Sequence, residues 1–583
     1  MLEAGTGKAD ITAFVKGVGM MGYGMFTQKA KEVETPLSSR AIVIRQPDTR
    51  KKIAFVNAEM CFITIAIKHA VIEKLTSEHP DLGFTDENVM LTAQHTHNGP
   101  GGYSHYPFFN FSIPGFAKEV FEQKVNGITQ SIVDAAHSLQ PVELRLDKGI
   151  FPDDVEVAFN RSMPAYNANP EVDKLSEENS HLALDRTMTL IRLDTPEGKT
   201  LATINWFGIH TTSIGNDMHK ICYDNKGYAS DFMENKLNSK NEDSIAIFAQ
   251  SPCGDIIPNY IWEPSRNRKR GKYADDYKSA AHNGKLQFEK AHETYLKAQD
   301  QPKLDIKEID HALMYVDFSN VRIDDEFIPS HHPDKGKEIR TSHACMGVAF
   351  FKGTVDGRGI SDRLAHVASM LSKTAKTAEQ AKSLVASKEK WKEIQHKYKS
   401  QGTKDILVET GEGKILGTSR IQKLGQLTKL DPSFAMLREH YDQGGLDCPW
   451  TPEILPLQIL TIGPIAIVGV PAEISYIGGK RLHKTLEETL KKKGIEEVII
   501  SPYANAYSGY ITTYEEYQLQ CYEGGHTVFG EWTEAAYRTA FNKLAHEMSK
   551  GSEKRDLNAM VSPRLFSEEE LRNRSFHSKE QIK

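Results

Sequence analysis

The sequence lacks three features that would each place it in a special class of protein. It has only six cysteines in 583 residues, far apart and without a Cys-x-x-Cys pair, which argues against a disulfide scaffold or a thiolate metal site. Basic residues are not in excess, since 72 Lys and Arg face 78 Asp and Glu, so nucleic acid is not an expected partner. No apolar run approaches the ~20 residues of a membrane-spanning helix. A globular protein without a transmembrane segment is therefore expected.

The N-terminus, MLEAGTGKADIT, does not have the charged-then-apolar layout of a secretory signal. A signal removed before this sequence begins would leave the same residues, so two compartments stay open. If a signal was removed, the protein is expected to be secreted or periplasmic; if not, it is expected to be cytoplasmic. Composition leaves the oligomeric state and peripheral membrane contact open as well.

Short β-rich runs alternate with helical stretches along the chain. AIVIRQ, KIAFVNAEM, NVMLTAQ, LATINWFGI and SIAIFAQ have the composition of strands, and AIKHAVIEKLTSEH has that of a helix. This pattern predicts an α/β fold with a large mixed sheet, surrounding helices and a site at the strand ends. We expect one domain over residues 1–550, a helical insertion at about 362–404 that is either a lid or a solvated surface element, and a charged tail over 551–583.

Side chains that can bind a metal follow four of these apolar runs. The carboxyl ends of buried strands are where α/β folds build their sites. HTHNGPGG follows the run that ends near Leu91, NWFGIHTTS contains the end of another, and a glutamate stands directly after IAIVGVPA. A tyrosine-dense loop follows the fourth run. The candidate residues are His95, His97, His210, Glu473, Tyr510 and Tyr522.

Two neutral imidazoles and a carboxylate are the protein ligands of many hydrolytic zinc sites. Each residue also has an ordinary structural interpretation. A histidine at a strand end is most often a hydrogen-bonded structural residue, Glu473 can stabilise a helix N-terminus, and the tyrosines can simply pack. Separation along the chain does not show whether these residues meet.

Nine motifs of this chain resemble those of the neutral ceramidases, in the same order and at approximately the same spacing from Gly7 to Met548. They are GKADITAF, MMGYGMFTQ, HTHNGPGGY, FNRSMPAY, WFGIHTTS, DNKGYAS, GDIIPN, VPAEISYIGGKRL and YITTYEEYQLQCYEGG. The resemblance implies that residues 1–550 form a zinc-dependent amidase domain. Its activity would be hydrolysis of ceramide, by metal-activated water, to sphingosine and a fatty acid.

The resemblance also implies a role for individual residues. It assigns the zinc ligands to His95, His210, Glu473 and Tyr510. His97 would be the acid-base residue that protonates the leaving amine, and Arg161 and Tyr522 would bind the substrate carbonyl and stabilise the oxyanion. Gly101, in the loop after His97, is expected to contact substrate.

Two departures from the family bear on activity. The family motif GDVSPN carries a serine assigned as catalytic, and here Ile257 stands in its place. Ser251 and Cys253 are the neighbouring alternatives as nucleophiles. The immunoglobulin-like domain that follows in the family is expected to be absent after Met548. Two other functions therefore stay open, hydrolysis of a different N-acyl amine or aminolipid and a catalytically silent lipid-binding role.

Overall fold

Two β-sheets dominate the computed structural model, which describes residues 2–113, 115–240, 243–330, 332–418, 442, 446–557 and 560–575. The first sheet contains β1 (Leu2–Asp10), β2 (Ser38–Arg45), β3 (Lys52–Ala58), β4 (Val89–Ala93), β5 (Gln140–Ile150), β6 (Thr187–Asp194), β7 (Thr200–Trp206) and β8 (Ile245–Ala249). The second sheet contains β9 (Ile309–Asp317), β10 (Ile454–Ile462), β11 (Ile465–Val470) and β12 (Glu497–Pro502).

The order of strands places the predicted site residues at strand ends. The first sheet has the order β8-β7-β6-β5-β1-β2-β3-β4 and is antiparallel except for the β3–β4 and β7–β8 pairs. The second has the order β9-β10-β11-β12, with β11 and β12 parallel. His95 follows β4, His210 follows β7 and Glu473 follows β11. The predicted α/β class with a large mixed sheet is confirmed.

The two sheets pack against each other, and helices cover their outer faces. Alternate residues of β2 show this arrangement: Ile42 and Ile44 share a core with Ile467 of the second sheet, whereas Ala41 and Val43 lie in the core that includes the helices of the first sheet. Strands covered on both faces, such as β4 and β11, are nearly continuous apolar runs, whereas β1 and β5 are partly exposed and more polar.

Eight longer helices complete the described part of the chain. They are α1 (Ile65–Glu78), α2 (Lys118–His137), α3 (Asp224–Leu237), α4 (Asp276–Ala298), α5 (Asp362–Ser383), α6 (Lys388–Gln401), α7 (Tyr476–Leu490) and α8 (Thr533–Met548). Five short helices are Met163–Tyr166, Val348–Phe351, Tyr514–Gln518, Tyr522–Gly525 and Glu568–Arg572. No helix among the described residues is long and apolar enough to cross a membrane.

Short strands join the loops around the ends of the main sheets. The pairs are Met20–Met21 with Gly99–Pro100, Glu32–Val33 with Lys220–Ile221, Phe159–Asn160 with Ile256–Ile257, Ile261–Glu263 with Arg268–Arg270, Gly353–Thr354 with Gly357–Arg358, and Glu473–Ile474 with Tyr510–Ile511. Met346–Gly347, Ile406–Glu409 and Lys414–Ile415 form a small three-stranded sheet. These pairings connect loops that are distant in sequence.

The segments expected to be an insertion and a tail have defined contacts. Helices α5 and α6 lie within the segment expected to be helical. After α8, Arg555 donates a hydrogen bond of 2.6 Å to Asp310 of β9. Farther on, Arg574 donates to the carbonyl of His105 at 2.8 Å, and its own carbonyl accepts from the backbone N–H of Phe116. The segment after residue 551 therefore contacts the body of the protein at Arg555 and Arg574.

Candidate metal centre

His95 is held in a backbone conformation that residues other than glycine rarely adopt. Its φ is +80°, which costs free energy and is typical of functional positions. The ring stacks on Tyr503 at 4.1 Å between centroids, and Nδ1 donates to the carbonyl of Cys61 at 2.6 Å. A donating Nδ1 leaves the lone pair of Nε2 free for a metal.

His210 is oriented in the same way from a different strand. Its Nδ1 lies 2.8 Å from the carbonyl oxygen of Cys253 and 3.0 Å from that of Ile256, so Nε2 is again the free acceptor. Gln250, just after β8, joins the two histidine segments, because its amide donates to the carbonyls of Gln94 and Ile209 at 2.9 and 2.6 Å. This buried side chain brings the ends of β4 and β7 together.

Glu473 and Tyr510 are neighbours because their short strands pair in parallel, with Glu473 opposite Tyr510. Two tyrosines hold the carboxylate: Tyr507 donates to Oε1 at 2.5 Å and Tyr503 to Oε2 at 3.2 Å. The N-cap of α7 is Ser475, whose hydroxyl accepts from the N–H of Gly478. Glu473 is therefore not needed to cap that helix, which was the alternative interpretation from sequence.

The donor atoms of these four residues converge. Oε2 of Glu473 lies 3.4 Å from Nε2 of His95 and 3.1 Å from Nε2 of His210, and the phenol oxygen of Tyr510 lies 3.4 Å from Nε2 of His210. Ligands at the bond lengths of tetrahedral zinc stand roughly 3.3–3.5 Å apart. The spacing and donor types therefore fit one tetrahedral metal ion.

Burial sets the protonation of the cluster. It lowers the pKa of the His210 imidazole, which keeps the ring in the neutral form that binds metals. Burial alone would raise the pKa of Glu473, but His95 and His210 hold it well below its usual range. Burial raises the pKa of Tyr510 well above that of a free phenol, while the Arg161 guanidinium, 3.0 Å from the phenol oxygen, opposes this shift. Arg161 therefore favours the phenolate form that a metal ligand requires.

A second group of possible ligands, Cys61, His95 and His97, also lies within reach of one ion. The thiol of Cys61 is 3.8 Å from Nδ1 of His95, which already donates to the Cys61 carbonyl. Burial raises the pKa of this thiol well above its usual value, which disfavours the thiolate that binds metals. The set with Glu473 is chemically the better metal site.

His97 lies beside the metal-ligand candidates and contacts His95. Its Nε2 lies 3.0 Å from Nε2 of His95, and its ring meets the edge of Tyr23 at 4.7 Å. Gly22 has a φ of +129°, and a Cβ added to it would lie 2.4 Å from Cγ of His97. Glycine at position 22 therefore leaves the space that the His97 ring occupies. Burial lowers the pKa of His97 well below its usual value, with further lowering by His95 and His210.

Arg161 connects the cluster to a set of carboxylates. Its Nη2 donates to the Tyr510 phenol at 3.0 Å and to the carbonyl of Gly254 at 2.9 Å. Its Nε donates to Glu523 at 2.8 Å, and Nη1 lies 3.7 Å from Asp356. The Arg161 side chain is 4% exposed, so these contacts fix the guanidinium beside the donor atoms.

Tyr522 lies at the same place, with its ring under the Arg161 guanidinium at 5.3 Å and 5.6 Å from the ring of Tyr510. Burial raises the pKa of Tyr522, so it is a neutral hydrogen-bond donor at neutral pH. Seven predicted site residues thus lie close together. They are His95, His97, His210, Glu473, Tyr510, Tyr522 and Arg161.

Gly101 and Ile257 lie in the loops that support this cluster. The N–H of Gly101 donates to Gly19, and a Cβ there would lie 2.2 Å from Cδ1 of Ile113. These contacts explain the glycine by close packing, and its contact with substrate stays a prediction. Ile257 is 1% exposed and pairs with Phe159, two residues before Arg161.

Sequence reasoning did not identify the residues that hold the cluster in place. Tyr503 and Tyr507 bind Glu473, Glu523 binds Arg161, and Gln250 joins the histidine segments. The density of tyrosines in SPYANAYSGY was a signal for the first two. Glu523 adjoins Tyr522 in the sequence, but Gln250 has no local pattern that marks it.

Comparison with known proteins gives consistent matches. A family model described as neutral/alkaline non-lysosomal ceramidase, N-terminal, matches residues 2–422 and 441–539. The neutral ceramidase of Pseudomonas aeruginosa is 31% identical over 93% of this chain and 71% of its own length. Neutral ceramidase A of Dictyostelium discoideum is 31% identical over 94% and 73%. A crystal structure of the Pseudomonas aeruginosa enzyme superposes with a TM-score of 0.73, at 29% identity, covering 94% of this chain and 74% of that one.

Proposed function

We propose, since the chain belongs to the neutral/alkaline non-lysosomal ceramidase family, that it is a zinc-dependent hydrolase that cleaves ceramide to sphingosine and a fatty acid. Membership of this family supports a hydrolase that acts on an amide bond. The observation that carries the zinc-dependent step is the convergence of two imidazole nitrogens, a carboxylate and a phenol at the spacing of one tetrahedral ion.

His95, His210, Glu473 and Tyr510 would hold the zinc. The ion would supply a Lewis acid that polarises the amide carbonyl and lowers the pKa of a water molecule at the site. Their own partners orient these ligands: three backbone carbonyls for the histidines, two phenols for Glu473 and a guanidinium for Tyr510. Such outer contacts fix tautomers and ring orientations.

The remaining residues would stabilise developing negative charge and transfer protons. The guanidinium of Arg161 and the phenol of Tyr522 lie together and can donate to the carbonyl oxygen as it gains negative charge. His97 is neutral at rest, so it can accept the proton that the attacking water loses and pass it to the departing nitrogen. The new C–O bond then replaces the C–N bond, and the amine leaves uncharged.

This mechanism does not use a hydroxyl at position 257. Cys253 is a poor substitute nucleophile, because burial raises the pKa of its thiol to about 12 and its carbonyl orients His210. Water activated at the donor cluster is therefore the nucleophile in our proposal.

The test measures fatty acid release from ceramide and bound zinc on the same purified samples. Wild type should turn over with about one zinc per chain, and His95→Ala should lose both. Tyr522→Phe should keep its zinc and lose about 10²-fold or more in kcat, since it removes a donor to developing charge. His137→Ala, an exposed histidine at the end of α2, is the matched control. Zinc retained by His95→Ala, or zinc lost by Tyr522→Phe, would contradict the assigned roles.

A further inference from the structure

Helix α5 turns its largest apolar side chains outward. Leu364, Val367, Met370 and Leu371 are 47–50% exposed, and their spacing places them on one side of the helix. The buried residues of the helix are the small Ala365, Ser372 and Ser383. A helix on the surface of a soluble protein normally has the opposite arrangement.

The exposed apolar side chains of the α5–α6 hairpin form a concentration that the rest of the described surface does not have. Sixteen large apolar residues are exposed in the described part of the chain, and seven of them lie between residues 364 and 391. We call these seven the hairpin patch; they are Leu364, Val367, Met370, Leu371, Leu384, Val385 and Trp391. A patch of this kind marks an interaction surface, because water contact with it is unfavourable.

The charge of the hairpin is opposite to that of the protein. Residues 362–401 contain nine Lys and Arg and four Asp and Glu, a net charge of +5 in a chain of net −6. Three of the four carboxylates are already paired: Asp362 lies 2.9 Å from Lys352, Glu379 lies 2.8 Å from Lys397, and Glu393 contacts Lys390. The exposed cations Arg363 and Lys382 stand at the two ends of α5.

The start of α5 is connected to the candidate site through the short helix Val348–Phe351. Lys352, which pairs with Asp362, directly follows the short helix Val348–Phe351. In that short helix, Phe350 stacks on Tyr522 at 5.1 Å between centroids. One ion pair and one ring contact therefore link the hairpin to the residues around Tyr522.

We propose that the α5–α6 hairpin docks the protein on a bilayer that contains anionic lipids. The hairpin patch would enter the boundary between headgroups and acyl chains, and the surrounding Lys and Arg would bind the anionic headgroups, as in other interfacial helices. Docking does not itself require turnover. Its purpose would be access to a substrate dissolved in the membrane, and this part of the inference rests on the proposed function.

The test uses the full chain and vesicles without ceramide, so that its outcome is independent of catalysis. Sedimentation should show binding to vesicles of phosphatidylglycerol and phosphatidylcholine, weaker binding to phosphatidylcholine alone, and a decrease as salt screens the charges. Val367→Glu with Leu371→Glu, and separately Arg363→Glu with Lys382→Glu, should each reduce the partition coefficient at least tenfold. Leu296→Glu, a 51% exposed leucine on α4, is the control and should bind like wild type.

Activity on a short-chain, water-soluble N-acyl substrate should be unchanged in all these variants, which separates this proposal from the proposed function. Equal binding by wild type and both double variants would overturn the proposal, as would an equal loss in Leu296→Glu. Absence of vesicle binding by wild type would also overturn it. A wild-type dimer in solution that Val367→Glu with Leu371→Glu converts to a monomer would assign the hairpin patch to a second copy of the chain instead.

Discussion

Tyr507→Phe is the substitution that tests the proposed metal centre most directly without touching a ligand. The phenol donates to Oε1 of Glu473 at 2.5 Å, while Oε2 faces the two histidines. The ring itself stacks on Phe62 at 4.0 Å, and phenylalanine preserves that packing. The change therefore removes one hydrogen bond to the carboxylate and little else.

The expected magnitude follows from the charge of the acceptor. A hydrogen bond to a charged group is worth about 1.5–3 kcal/mol, and about 1.4 kcal/mol corresponds to a factor of ten in an equilibrium constant. Zinc affinity should therefore fall roughly 10- to 100-fold, the range seen when partners of metal ligands are removed. Competition with a chromogenic chelator measures this directly.

Tyr537→Phe is the matched control. Tyr537 is also buried, but its phenol pairs with the hydroxyl of Ser508. It should lower the thermal stability slightly and leave zinc affinity unchanged. If Tyr507→Phe binds zinc as tightly as wild type, or if both variants lose affinity equally, Glu473 is not a ligand oriented by Tyr507.

Two further predictions concern other parts of the molecule. Gly22→Ala should displace the His97 ring, because the added Cβ would lie 2.4 Å from Cγ of that ring. We expect kcat to fall about 10²-fold with zinc content unchanged. Gly24→Ala is the control and should stay active, because nothing lies within 4 Å of a Cβ added there; equal losses in both variants would refute the steric argument. Burial alone would raise the pKa of Asp310, but hydrogen bonds from Arg555 and Lys493 lower it to about 2, so its stabilising contribution is present above about pH 4 and is lost as the pH falls toward 2. After a discount for solvent screening, we expect Asp310 to contribute about 1–2 kcal/mol to the free energy of unfolding. Chemical denaturation should show that Asp310→Asn is less stable than wild type at pH 6 and that this difference shrinks as the pH is lowered. A difference in stability that does not depend on pH would contradict this.

Much of the fold could be read from local pattern. Runs such as VMLTA and IAIVGV predict strands that are buried on both faces, and the structure has them as β4 and β11. The residues after these runs stand at strand ends, where α/β folds place their sites. The sequence therefore indicated which residues belong to the candidate site, with the resemblance to a known family supplying their predicted roles.

What local pattern could not supply is the convergence of these residues. His95, His210 and Glu473 come from strands of two different sheets, and they meet because Gln250 joins two loops and because Glu473 pairs in register with Tyr510. Contacts of this kind depend on the packing of one sheet on the other. No periodicity of 2 or 3.6 residues encodes them.

The same distinction applies to helix α5. The spacing of Leu364, Val367 and Leu371 predicts a helix with one apolar side, and the sequence by itself determines that. Which side faces the protein is decided by the neighbouring elements, which here accept only the small Ala365 and Ser372. Local sequence thus determined the elements and the residues available for chemistry. The tertiary structure alone decided which side chains meet and which remain in solvent, because both outcomes depend on surfaces that other parts of the chain provide.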